Sequence, residues 1–197
     1  MRPTVYVVDD DPGVLSMLQA VIDTISVEVR TFGSASEFFA SYRAGMAEEC
    51  LVCDVRMPGM GGLDLQKQLA RRDAILPIIF ISGYAEVGTA VEAMRDGAFD
   101  FLEKPFSPQL LLDKIQRALA RSKALSAERK HRESIEARRA LLTPREQVIV
   151  GHVVEGQSSR EIADRLGMSY RTVENHRARI LEKLHVSSTV ELVKLFL

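Results

Sequence analysis

The sequence predicts an α/β domain with a doubly wound five-stranded parallel sheet, followed through a helical linker by a small all-α helix-turn-helix domain. Three observations carry this. Short apolar runs alternate five times with helix-period stretches over residues 1–118, which is the pattern of parallel strands buried on both faces. Residues 119–142 are charged and rich in helix formers. Residues 143–197 hold repeated helix-start signals and no strand-like run.

The elements follow in order. The first strand falls near 4–9, with Val5-Tyr6-Val7-Val8 running into Asp9-Asp10-Asp11. Val14, Leu15, Leu18, Val21 and Ile22 then recur at the spacing of a helix over 12–24. Further strands are expected near 27–31, 50–54, 77–81 and 99–102, with helices near 34–44, 61–71 and 86–96 and a last one from 107. Right-handed crossovers turn such an alternation into an open doubly wound sheet.

Four of these runs end on polar residues. Cys50-Leu51-Val52-Cys53 leads to Asp54, Ile78-Ile79-Phe80-Ile81 to Ser82, and Phe99-Asp100-Phe101-Leu102-Glu103 to Lys104-Pro105. Ligands of open α/β sheets bind outside the carboxyl ends of the strands, so these endings converge on one mouth. That requires the strands ending at Asp9 and Asp54 to be neighbours. Acids, one hydroxyl and one ammonium suit a divalent metal and phosphoryl chemistry rather than a hydrolase triad. Asp11 either extends the acid set or is a helix N-terminal acid favoured by the dipole.

Cys50 and Cys53 form a Cys-x-x-Cys. Inside a strand, positions three apart point to opposite faces, so the pair reads as apolar filler rather than a redox or zinc motif. The first apolar run is about five residues, short of the roughly 7–15 of a signal peptide. The longest charge-free stretch, 74–85, is well below the ~20 residues that span a bilayer. A soluble, cytoplasmic protein without a membrane partner is expected.

Charge is divided along the chain. Residues 1–118 carry 11 Lys/Arg against 17 Asp/Glu, and 119–197 carry 15 against 10. An acidic front and a basic back point to a metal or phosphate site in one and a polyanion partner for the other. The run 121–139, with seven basic and three acidic residues and no Pro or Gly, is either a solvated helical arm or a flexible linker; its helix formers favour the arm. As a helix, 120–141 would span roughly 33 Å.

The last 55 residues are well punctuated. Thr143-Pro144-Arg145-Glu146, Ser158-Ser159-Arg160-Glu161 and Ser188-Thr189-Val190-Glu191 are capping-box patterns, the first with Pro at the first helical position. Gly167 ends one short helix and Ser169 starts the next, which makes a helix-turn-helix. Over 170–184, Val173, Ile180 and Leu184 form one face, expected to pack on Ile162, Ala163 and Leu166. Arg171, Glu174, Asn175, Ala178 and Arg179 form the other. Such a face is either merely solvated or a reader of the major groove, with Arg suited to guanine, Asn to adenine, Glu to cytosine and Ala to a thymine methyl. Thr172, His176 and Lys183, with Ser158 and Arg160, suit phosphate contacts; His176 suits interior packing equally well.

These residues together resemble the two-component response regulators, in which a receiver domain precedes a DNA-binding domain of the NarL/FixJ (LuxR-type) kind. The resemblance covers nearly the whole chain outside the arm. It implies a receiver domain over 1–118, a linker over 119–142 and a DNA-binding domain over 143–197. It implies that Asp54 accepts a phosphoryl group. Asp10, Asp54 and the backbone carbonyl of Arg56 would hold Mg²⁺, with Asp9 reaching it through water. Lys104 would pair with the carboxylate and later a phosphoryl oxygen, and Ser82 would donate to another oxygen. Lys104-Pro105 resembles the family's cis peptide, and Met57-Pro58-Gly59-Met60-Gly61-Gly62 is the loop after the acceptor. The switch would run from Ser82 to Phe101, whose alternative reading is core packing. Arg56 and Tyr84, large at positions usually variable in the family, are expected to crowd the water that attacks the phosphoryl group.

The implied function is a phosphorylation-dependent transcriptional regulator, most simply an activator. Its partners would be a cognate sensor histidine kinase, promoter DNA, RNA polymerase and, on phosphorylation, a second copy of itself through the last helix. Two other readings stand beside it: a DNA-binding regulator without the phosphate switch, and a phosphatase with an Asp nucleophile, which leaves the helix-turn-helix unexplained.

Overall fold

The computed structural model of the chain describes residues 2–43, 48–72, 74–83 and 87–196. Strands β1 (Thr4–Val8), β2 (Glu28–Phe32), β3 (Glu49–Asp54), β4 (Ile78–Ser82) and β5 (Asp100–Glu103) alternate with helices α1 (Pro12–Ile22), α2 (Ala35–Ser41), α3 (Gly62–Ala70), α4 (Val87–Arg95) and α5 (Pro108–Ala140). The all-parallel sheet has the order β2-β1-β3-β4-β5. The order reverses beside β1, so the switch point lies between β1 and β3, where the doubly wound fold places its ligand. β1 and β3 pair in register, Val8 opposite Cys53.

The two faces of the sheet bury different sets of side chains. Val5, Val7, Cys50, Val52, Ile79 and Ile81 meet Leu18 and Ile22 of α1 and Leu111 and Ile115 of α5. Tyr6, Val8, Leu51, Cys53 and Phe80 meet Phe38 of α2, Leu65 and Leu69 of α3 and Ala93 of α4. Alternation along each strand produces this division. It puts the two cysteines on opposite faces, both free and fully buried. Burial, with a nearby carboxylate, pushes both thiols up out of the reactive range.

α2 stops at Ser41, short of the expected 44, because Tyr42 turns to an extended backbone. Its ring lies against Phe38 and Tyr6. Its hydroxyl donates to Glu49 Oε1 at 2.8 Å, while the Tyr6 hydroxyl reaches Oε2 at 3.4 Å. Glu49 opens β3 at the end of the sheet opposite Asp54, and its own N–H donates to Ser122 Oγ of α5 at 3.1 Å. Ser122 is completely buried, so α5 packs on the sheet beyond residue 118.

The chain divides into two compact units, 1–128 and 129–197. α5 is helical through the charged run to Ala140. The second unit adds α6 (Pro144–Val154), α7 (Ser159–Leu166), α8 (Tyr170–Leu184) and α9 (Thr189–Phe196). Thr143 and Ser158 each close a capping box with Glu146 and Glu161. The third differs: Ser188 Oγ accepts from Glu191 N, but the Glu191 carboxylate turns to Ser187 N and Oγ, one residue earlier. Gly167 ends α7 in the left-handed conformation (φ 64°), which a residue without a Cβ adopts at no steric cost, and Ser169 caps α8.

Candidate functional site

β1 and β3 end side by side, and their last turns bring two carboxylates to one ammonium. Lys104, directly after β5, places Nζ 3.0 Å from Asp9 Oδ2 and 2.9 Å from Asp54 Oδ1. The other oxygens are held by backbone: Asp9 Oδ1 accepts from Asp11 N at 2.9 Å and Asp54 Oδ2 from Arg56 N at 2.7 Å. Asp9 is buried, Asp54 half-buried and Asp10 exposed. Burial raises the Asp9 carboxyl, with Asp54 adding to it, against the hydrogen bonds from Asp11 and Lys104. Burial alone would lower Lys104, but its two carboxylates outweigh that and raise it. The ammonium is therefore held charged.

Asp11 turns out to be the N-cap of α1: its Oδ1 accepts from Gly13 N at 2.7 Å and Val14 N at 3.4 Å. Ser82 ends β4 with its side chain buried, and Ile81 pairs with Asp54 across the sheet. Phe101 of β5 is half-buried against the face that holds Phe80, its register partner. Lys104-Pro105 is a cis peptide. Arg56 is exposed; Tyr84 lies outside the described residues.

The loop after Asp54 uses its glycines in two ways. Gly59 has φ 77° and serves the turn. Gly62 is there for space: a Cβ would sit 2.4 Å from the Asp54 carbonyl oxygen and 2.9 Å from the Phe80 ring. A glycine-rich loop was legible in the sequence, but not this close approach of α3 to the end of β3.

Two carboxylates, a third beside them and backbone carbonyls are hard oxygen donors of the kind Mg²⁺ prefers. Each Asp oxygen named above has a lone pair beyond the one already engaged. Among the described residues no group of three His, Cys, Asp or Glu side chains is placed to hold a metal ion by itself.

In the helical unit α8 buries Val173, Ile180 and Leu184 on the core that includes Ile162, Ala163 and Leu166. Arg171, Thr172, Glu174, Asn175, Ala178 and Arg179 are exposed, and His176 is half-buried with no hydrogen-bond partner for Nδ1 among the described residues. Thr172 sits over the helix start, its Oγ1 2.8 Å from Ser169 Oγ. Lys183 is engaged elsewhere: Nζ lies 2.6 Å from Oε2 of Glu146. That carboxylate is 3% exposed and also accepts from Thr143 N at 2.8 Å and Thr143 Oγ1 at 2.9 Å. Glu146 was legible as a capping residue; its partner 37 positions away was not.

Comparison with known proteins covers both parts of the chain. Residues 5–116 match the response regulator receiver domain, and residues 140–196 match the bacterial regulatory proteins of the luxR family. The transcriptional regulatory protein TdiR of Thauera aromatica is 43% identical over 190 residues, covering 96% of this chain and 83% of TdiR. The transcriptional regulatory protein FixJ of Bradyrhizobium diazoefficiens is 36% identical over 191 residues, 97% of this chain and 93% of FixJ. Among solved structures, the response regulator StyR superposes with a TM-score of 0.84 at 39% identity, covering 99% of this chain and 98% of that one. Full-length FixJ from B. japonicum gives 0.59 at 35% identity, covering 98% and 95%.

Proposed function

The chain belongs to the response regulators that join a receiver domain to a LuxR-type DNA-binding domain, and from that premise we propose that phosphate on Asp54 switches it into a dimer that binds promoter DNA and activates transcription. The observation that carries this is the Lys104 ammonium bridging Asp9 and Asp54 at the sheet's switch point, in a chain whose other end is a helix-turn-helix. We take 1–118 as the receiver, 119–142 as the linker and 143–197 as the DNA-binding domain.

In the proposed transfer, an Asp54 oxygen forms the new P–O bond as the P–N bond of a phosphohistidine on the sensor kinase breaks. The electron pair leaves with the imidazole nitrogen, which takes up a proton. Bound Mg²⁺ would supply charge neutralisation for the phosphoryl oxygens. Asp10, Asp54 and the Arg56 carbonyl would hold it, with Asp9 acting through water. Lys104 would move from the free carboxylate to a phosphoryl oxygen, which its reach to both acids supports. Ser82, drawn to another oxygen, would vacate space that the Phe101 ring fills. Because that ring carries no hydroxyl, its inward position needs no hydrogen-bond partner.

Dimerisation through α9 would place two copies of α8 on successive turns of the major groove. Arg171, Glu174, Asn175, Ala178 and Arg179 would read bases, and Thr172 and His176 would contact phosphates. RNA polymerase is the expected partner at the promoter, in the cytoplasm. No described helix is long and apolar enough to cross a membrane. A shift from 1:99 to 99:1 between the two states takes ~5.5 kcal/mol of differential stabilisation.

Sedimentation velocity of the wild type and Asp54→Asn with Mg²⁺, with and without beryllofluoride, tests the reading. A monomer-to-dimer shift confined to the wild type is the expected result. The same distribution in all four samples would remove the phosphate-driven dimer.

A further inference from the structure

We infer that Glu146 is a positioning residue for DNA reading, and that Lys183 is its counterpart rather than a phosphate contact: the pair fixes the C-terminal end of α8 to the start of α6. The inference rests on α8 being the helix that reads DNA.

α8 is attached at its beginning by the tight turn Gly167-Met168-Ser169, and along one face by Val173, Ile180 and Leu184. Apolar contacts are non-directional and leave the tilt of a helix adjustable. Lys183 adds a directional tie in the last turn of α8. Its Nζ meets Oε2 of Glu146 at 2.6 Å, and that same oxygen takes both donors of Thr143, the residue that opens α6. One carboxylate oxygen therefore joins a helix start to the far end of another helix. The readers Arg171 to Arg179 lie between the turn and this tie, roughly 6–18 Å from Lys183 along the axis at ~1.5 Å per residue. Bidentate base contacts tolerate only about 0.5 Å and 10–20° of error, so the tie sets whether they are made.

The alternative for Lys183 is a DNA phosphate. Its side chain is 37% exposed, whereas that of Glu146 is 4% exposed. Taking the ammonium to DNA would strip a buried carboxylate of its cation, and breaking one side of such a pair is strongly unfavourable. A surface lysine suited to phosphate would have no such obligation.

The test uses the full chain with Mg²⁺ and beryllofluoride, and measures anisotropy against salt for two duplexes. One is selected by the wild type from a randomised pool, and the other is of mixed sequence. Lys183→Met and Glu146→Gln are each expected to weaken the selected duplex about ten-fold (~1.4 kcal/mol). Mixed-sequence binding and the salt slope should stay as in the wild type, and the double variant should be no worse than either single one. Lys183→Arg should restore most of the affinity. If Lys183→Met instead lowers the salt slope by about one, as a lost phosphate contact does, and Glu146→Gln binds normally, the inference is overturned. Thr143→Val keeps the ion pair and removes the capping hydroxyl; an equal loss there would assign the effect to capping and overturn it too. Should Glu146→Gln not fold, the slope of Lys183→Met decides alone. Wild type that binds neither duplex would overturn the DNA-binding reading itself, and this inference with it.

Discussion

Lys104 Nζ and Asp54 Oδ1 stand 2.9 Å apart although 50 positions separate them in the chain, and the same ammonium serves Asp9 at 3.0 Å. The Asp9 carboxyl is raised all the same, because burial outweighs the donors it receives. A carboxyl raised in the folded state favours folding below its unfolded pKa and loses that contribution as pH rises through its folded value. Asp9 therefore opposes stability at neutral pH.

Asp9→Asn should consequently make the receiver more stable at pH 7 than the wild type, while the two converge near pH 3. Urea unfolding of both chains at the two pH values checks this. A variant less stable at pH 7 would show that the Lys104 ion pair outweighs burial.

Gly62→Ala should destabilise the receiver by about 2–3 kcal/mol, at the upper end of what overpacking costs, since the added Cβ meets backbone at 2.4 Å and a fully buried ring at 2.9 Å. Gly59→Ala should cost about 1 kcal/mol, from its positive φ alone. Denaturant midpoints order the two, and the reverse order would contradict the close approach of α3.

Ser122→Ala removes the acceptor of the buried Glu49 N–H and puts nothing in its place. An unsatisfied buried donor costs about 1–3 kcal/mol, so the receiver transition should fall by that amount. Ser122→Thr, which keeps the hydroxyl, should fall less. Amide exchange of Glu49 should rise in the alanine variant, and unchanged exchange would sink the assignment.

Glu146 carries the opposite pH signature to Asp9. Burial raises it, but hydrogen bonds from Lys183 and Thr143 outweigh that and hold it at about 2, against an ordinary 4.5. A depressed carboxyl contributes stability above its unfolded pKa and loses it as pH falls through the folded value. Glu146→Gln should thus cost the helical unit on the order of 2 kcal/mol at pH 7, allowing for the partial exposure of Lys183. The difference should vanish as pH drops from about 4.5 to about 2. Thermal unfolding followed by helix signal checks it, and a gap that persists at pH 2 would rule out the ion pair as its source.

The sequence by itself determined which chemistry is present and where along the chain it sits. Strand-length apolar runs ending at Asp9, Asp54, Ser82 and Lys104, and the capping boxes at Thr143 and Ser158, are local signals, carried by periodicity and by bonds that reach three or four residues. They were sufficient for the alternation of elements, for the neighbouring of β1 and β3 and for the buried and exposed faces of α8. Only the tertiary structure decided which partners those side chains take. It gave Gly62 its role as a contact point, set the Tyr6 and Tyr42 hydroxyls on Glu49, and made Lys183 the partner of Glu146. Each of these depends on atoms brought together from distant parts of the chain. Period and propensity carry no record of such distances, which are set by how helices and sheet pack once apolar surface is buried.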